Sequence, residues 1–156
     1  PCDVLVVKKP CTECTGIYSS ILMPFDGSQF SKHALSRACS LSKIDNAGLT
    51  ALYIIPRYEE MIGFFKSESI KGRLFQEAEK VIEVAKKIAS DNGVNIVTEI
   101  AEGNASDKIV ETAERLGSDL IVMGTHGWRG INKVIMGSTT ERVIMNASIP
   151  VLTVKE

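Results

Sequence analysis

This chain lacks the features that mark several large classes of protein. Its 156 residues carry a formal net charge of −1, which excludes a general electrostatic pull toward nucleic acid or an anionic membrane. No basic run with interleaved aromatics compensates for that. Aromatics make up 6% of the residues and histidine occurs twice, so neither a stacking platform nor a histidine-rich metal cluster is suggested. No apolar run approaches the roughly 18 to 20 residues that span a bilayer, and Pro1-Cys2-Asp3-Val4 has neither the basic nor the apolar region of a signal peptide. The chain therefore reads as soluble and cytoplasmic, with no nucleic-acid or membrane partner.

Cysteine is also sparse, at four residues. Reduced thiols are expected, because nothing else signals export. Cys11-Thr12-Glu13-Cys14 has the spacing of half a zinc site or of a redox dithiol, with Cys2 as a third thiolate, but no second pair follows. A thiol- or metal-sensing leader stands here against a leader with unremarkable thiols. Cys39 falls in a helical pattern and reads as a small buried hydrophobe.

What the chain does have is alternation. Ser20 to Phe25 is a strand; Phe30, Ala34, Leu35, Ala38 and Leu41 trace a helical stripe behind the N-cap candidate Ser28; Leu49 to Ile55 is a continuous apolar strand. Pro56 to Ser69 is aperiodic and is expected to be a loop or short helix over a site, in the manner of a lid. Ile70, Leu74, Ala78, Val81, Ile82, Ala85, Ile88 and Ala89 then mark a long amphipathic helix, stopped by Asn92-Gly93. Val94 to Ala101 alternates as an edge strand would. A helix from Ala105 to Gly117, a strand from Asp119 to Met123, a helix from Thr140 to Asn146 and a strand from Ile149 to Val154 complete the pattern. Alternating strands and helices with right-handed crossovers give a doubly wound α/β fold, with helices on both faces of a parallel sheet.

The candidate site lies after the apolar run Leu120 to Met123. Gly124, Gly127 and Gly137-Ser138 suit sharp turns and close approach of backbone to a ligand, and Ser138 is the expected N-cap of the helix that follows. The free N–H groups of that first turn, with the helix dipole behind them, suit phosphate. Each residue also has a plainer role: glycines for turns alone, Asp26 as a cap of the first helix, Arg129 and Lys133 as solvated charges, His33 as a surface residue. His126 has no serine, cysteine or carboxylate placed beside it by the sequence, so no catalytic residue is assigned.

The spacing of Gly124, Gly127 and Gly137-Ser138, with Ile21-Leu22-Met23-Pro24-Phe25-Asp26, Asp119 to Gly124 and Ile149 to Lys155, resembles the universal stress protein family in its nucleotide-binding branch. The resemblance covers Ser19 to Glu156. It implies a five-stranded parallel sheet of order 3-2-1-4-5, like that of the adenine nucleotide alpha hydrolases, and a ligand crevice between strands 1 and 4. It further implies that Pro24, Asp26 and Ile54 meet adenine and ribose, that Met123 and Gly124 line the nucleoside, and that Gly127, Arg129, Gly137, Ser138, Thr139 and Thr140 hold phosphates. The implied ligand is ATP, ADP or AMP, with magnesium. No Walker A sequence is present, so binding is better supported than turnover and any hydrolysis is expected to be slow.

Residues 1 to 18 lie outside that resemblance, and Asp3 to Lys9 echo Pro150 to Glu156. They read either as the end of a preceding tandem copy with a linker from Pro10, or as an extension whose strand pairs at a sheet edge or across a dimer. The last strand, apolar and uncapped at Val151 to Val154, is the expected homodimer edge. A dimerising module without nucleotide is the alternative function.

Overall fold

The computed structural model describes residues 2–8, 16–56, 68–127 and 136–155, with side chains in the long helix from Lys71 onward. In chain order the elements are β1 (Val4–Val6), β2 (Ser20–Pro24), α1 (Gln29–Asp45), β3 (Gly48–Ile55), α2 (Glu68–Asp91), β4 (Val97–Glu102), α3 (Ala105–Leu116), β5 (Leu120–Gly124), α4 (Ser138–Asn146) and β6 (Val151–Val154). The sheet runs β1-β6-β5-β2-β3-β4. Strands β2 to β6 keep the expected parallel 3-2-1-4-5 order, and β1 adds a sixth strand, antiparallel, on the outer side of β6. The sheet is thus mixed rather than purely parallel. The last-strand edge is not uncapped, because β1 already pairs with it.

Side chains alternate across the sheet, and the two faces fill two cores. Ile21, Met23, Leu49, Ala51, Leu120 and Val122 pack with Ala34, Leu35, Ala38 and Cys39 of α1 and Ala85 and Ala89 of α2. On the other face Leu22, Leu52, Ile121, Met123 and Val151 pack with Ile109 and Ala113 of α3 and Val143 of α4. Both faces of β2 and β5 are buried, which is why these strands read as unbroken apolar runs.

Local chemistry sets the helix ends. Ser28 Oγ accepts from Ser31 N at 3.2 Å, and α1 closes on Asn46 in the left-handed conformation, a residue type that tolerates it. Asn104 caps α3 by accepting from Ser106 N and Asp107 N, and Gly117 ends it at φ 62°. At α4 the sequence expectation needs correction. Gly137 is the N-cap and Ser138 the first helical residue, so the cap residue brings no side-chain hydrogen bond to the turn. The other departure is at β4, which starts at Val97 rather than Val94. Val94 instead closes the turn after α2, its N–H bonding Ala89 O at 2.9 Å while its side chain joins the core.

Candidate functional site at the fork between β2 and β5

The two central strands are joined along only part of their length. Pairing of β2 with β5 covers Ile21↔Leu120 and Leu22↔Ile121 and then stops, whereas β2 stays paired with β3 as far as Pro24↔Leu52 and β5 with β6 as far as Gly124↔Val154. The ladder is secured at the opposite end by Asp119. Its carboxylate accepts from Ser19 N at 2.7 Å, Ser19 Oγ at 2.6 Å and Ser20 N at 3.0 Å, while Asp119 N donates to Ser20 O. Partial burial pushes the Asp119 carboxyl up, but these hydrogen bonds to the ionised form outweigh it and hold the group below its ordinary value. The sheet is clasped at its N-terminal edge and forks at its C-terminal edge. That fork is where strand order reverses, the place where open α/β sheets bind ligands.

The expected site residues gather at this fork. Pro24 follows Leu22 on the same face of β2, and Ile54 and Met123 stand on that face of β3 and β5 with Leu52 and Ile121. These three apolar residues therefore share the α3 and α4 side of the sheet. Met123 is buried, and Ile54 packs against the same cluster. Past the end of β2, Gly27 at φ 83° turns the chain, and Asp26 Oδ1 accepts from Ser28 N at 2.9 Å. The other carboxylate oxygen faces the loop after β5: a Cβ on Gly127 would lie 2.7 Å from Asp26 Oδ2.

The glycines of this loop serve close approach rather than left-handed turns. Among the described residues the positive-φ glycines are Gly16, Gly27, Gly93, Gly103 and Gly117, not the three of the motif. A Cβ at Gly124 would come within 2.9 Å of Phe30 C and Cβ, so its absence lets the first turn of α1 sit directly on the end of β5. At Gly137 a Cβ would meet Thr125 O at 3.2 Å, and Gly137 N donates to that same carbonyl at 2.9 Å. Thr140 is buried, and its Oγ1 donates to Gly124 O at 3.0 Å. The end of β5 and the start of α4 are thus fastened together. Ser138 is exposed and Thr139 half-buried at the N-terminus of α4. Arg129, and residues 57–67 of the segment Pro56 to Ser69 expected as a lid, lie outside the described residues.

Sequence reasoning gave two residues no part in building this site. His126 is 9% exposed, its Nδ1 lies 3.0 Å from Thr125 Oγ1, and its ring stands 5.1 Å from that of Phe30 at a 45° tilt. It anchors the glycine loop to α1. Phe30, read only as the start of a helical stripe, is the surface on which both Gly124 and His126 rest.

Cys39 lies in the core that α1 makes with the sheet. Cys39 is buried, and burial pushes its thiol up despite the opposing influence of Lys43. Cys2 is exposed, while Cys11 and Cys14 lie outside the described residues. Among the described residues no cluster of histidine, cysteine and carboxylates suits a metal, and no helix is long and apolar enough to cross a membrane.

Comparison with known proteins agrees with this architecture. Residues 17–155 match the universal stress protein family. Universal stress protein MJ0531 of Methanocaldococcus jannaschii is 38% identical over 90% of this chain and 84% of its own length. The solved structure of MJ0577, from the same organism, is 32% identical over 90% of this chain and 97% of that chain, with a TM-score of 0.79. A universal stress protein from Archaeoglobus fulgidus solved in complex with dAMP shares the fold, at 23% identity, 88% and 98% coverage and a TM-score of 0.66. The fork, the glycine loop and the match across 17–155 lead to one conclusion: the chain belongs to the universal stress protein family.

Proposed function

We propose that this protein binds ATP, or ADP or AMP, at the fork between β2 and β5 and acts as a regulatory or signalling module of the cytoplasm, with at most slow hydrolysis. The observation that carries this reading is the cradle around Gly127 and Gly137. Two backbone segments approach closely there, in front of a helix N-terminus whose cap residue is a glycine with no side-chain hydrogen bond. Uncapped N–H groups with the dipole behind them favour phosphate. The fit extends beyond the phosphates. Pro24, Ile54 and Met123 give an apolar face at the strand ends for a base, and the Asp26 carboxylate would accept from a ribose hydroxyl.

Each group has a defined part. Gly127, Gly137, Ser138 and Thr139 would hold phosphates, with Arg129 as a further cation beside them. Thr140 spends its proton on Gly124 O and so acts by fixing the loop, keeping lone pairs rather than a donor. Magnesium would accompany the polyphosphate as a counterion. The dAMP-bound relative supports an adenine nucleotide as the ligand class.

Thermal unfolding with and without ATP and magnesium tests this, together with chromatography of nucleotide released when the purified protein is denatured. At a hundredfold excess over Kd, binding stabilises by about 2.7 kcal/mol, a shift of several degrees for a domain of this size. No shift at millimolar ATP and no released nucleotide would remove the nucleotide reading.

A second reading has its own observation. The likeness of β1 to β6 suits a protein that works by pairing last strands, as a homodimer or beside a preceding tandem copy, with residues 1–18 as the linking unit.

A further inference from the structure

The outward stripe of α1 is polar. His33, Ser36, Arg37 and Ser40 follow at i, i+3, i+4 and i+7 and so share one face of the helix, while Ala34, Leu35, Ala38 and Cys39 fill the core beneath. That face lines an open cleft of about 560 Å³, together with Asn92 just after α2 and with Asp3 and Lys155 beyond the end of β6. The volume falls within the range of small-molecule sites, roughly 300–1,000 Å³. The cleft shares no residue with the fork.

Its polar groups are of two kinds. The cations are donors with capacity to spare. Asp3 pairs with Arg37 Nε at 3.1 Å and accepts from Lys155 N at 3.2 Å, so a carboxylate is already held between α1 and the end of β6. That contact engages the Nε–H of Arg37 and leaves the guanidinium Nη groups, all of them donors. Among the described residues the Lys155 ammonium and the His33 ring have no hydrogen-bond or ion-pair partner. The neutral groups are acceptors instead. Ser36 Oγ gives its proton to Lys32 O at 3.2 Å, Ser40 Oγ to Ser36 O at 3.1 Å, and Asn92 Nδ2 donates to Ile88 O at 2.8 Å. What these three offer a guest is hydroxyl lone pairs and the Asn92 Oδ1. Val154 is the one apolar residue of the described lining, and it is buried, so a nucleobase finds no apolar seat here.

We propose that this cleft is a ligand site separate from the fork, for a phosphorylated polyol such as a sugar phosphate. Arg37, Lys155 and His33 hold the phosphate, and Ser36, Ser40 and Asn92 accept from the hydroxyls. Charge favours the same guest: two cations against the single carboxylate of Asp3 leave the cleft positive, and a phosphate monoester brings about −1.5 to −2.

The test is a backbone-amide NMR titration of the full chain with glucose 6-phosphate, inorganic phosphate and glucose as separate probes. Glucose 6-phosphate is expected to give saturable shifts at Ser36, Arg37, Ser40, Asn92 and Lys155. Inorganic phosphate, which lacks the hydroxyl contacts, should bind at the same amides at least about fivefold more weakly, and glucose alone should not move them. Arg37→Gln should weaken glucose 6-phosphate about tenfold or more, as expected for loss of hydrogen bonds to a charged group. Lys155→Gln keeps the backbone N–H that Asp3 uses, and should weaken both phosphates without disturbing β1. Ser36→Ala/Ser40→Ala should weaken glucose 6-phosphate and leave inorganic phosphate unchanged. Unmoved cleft amides, shifts confined to Gly127 and Ser138 at the fork, equal affinity for the two phosphates, or undiminished affinity in both Arg37→Gln and Lys155→Gln would each overturn the proposal.

Discussion

Thr140 reaches back sixteen residues to give its hydroxyl proton to the carbonyl of Gly124, at 3.0 Å and out of contact with solvent. This bond ties the last residue of β5 to the first turn of α4. Thr140→Val keeps the shape and removes the donor, leaving the Gly124 carbonyl unsatisfied. Urea unfolding should show a loss of about 1–3 kcal/mol, and Thr140→Ser should recover most of it. A Thr140→Val variant as stable as the unaltered chain would show that the bond contributes nothing.

Gly124 and Gly127 should separate stability from binding. An alanine at 124 meets the backbone of Phe30 at 2.9 Å, so α1 must move; a loss of about 1–3 kcal/mol follows, as in other overpacked sites. At 127 the obstacle is the carboxylate of Asp26, which a side-chain rotation can withdraw. Gly127→Ala should therefore keep its melting temperature within a few degrees while ATP affinity falls at least about tenfold, or ~1.4 kcal/mol. Unchanged affinity by calorimetry would place the ligand away from this loop.

Acid stability should depend on Asp119. Its hydrogen bonds outweigh burial and lower its folded pKa below the unfolded value of about 3.9. The stabilisation is present above that unfolded value and is lost as pH falls through the lower folded one. Asp119→Asn should flatten the acid limb of a stability-versus-pH curve while leaving its neutral shape alone. An unchanged limb would mean that other carboxylates govern acid unfolding.

Thiol reactivity should divide by position. Cys39 is buried and its thiol is pushed up, so it should react with a thiol reagent only after unfolding, whereas exposed Cys2 should react in the native protein. Kinetics followed by peptide mapping would read this directly. Labelling of Cys39 in the native state would indicate opening of α1 from the sheet.

Those elements that rest on local pattern were legible in the sequence. The stripe from Ala78 to Ala89 predicts α2, and the capping residue Ser28 predicts the start of α1, because helix periodicity and caps are short-range. Long-range geometry was not. The alternation at Val94 and Ile96 imitates a strand, but Val94 is drawn back to close the α2 turn. Gly124 looks like a turn glycine until Phe30, far away in the chain, is seen pressed against it. The apolar edge of β6 looks open until β1, at the other end of the sequence, is found lying on it.

The short ladder between β2 and β5 has a mechanical consequence. Only two residue pairs join the strands at the middle of the sheet, and both lie toward the end that Asp119 fastens. The molecule is built like tongs, with a pivot at Asp119 and jaws at Asp26 and Gly127. A rigid guest between the jaws would act as a crossbar, coupling the β2-β3-β4 half to the β5-β6-β1 half.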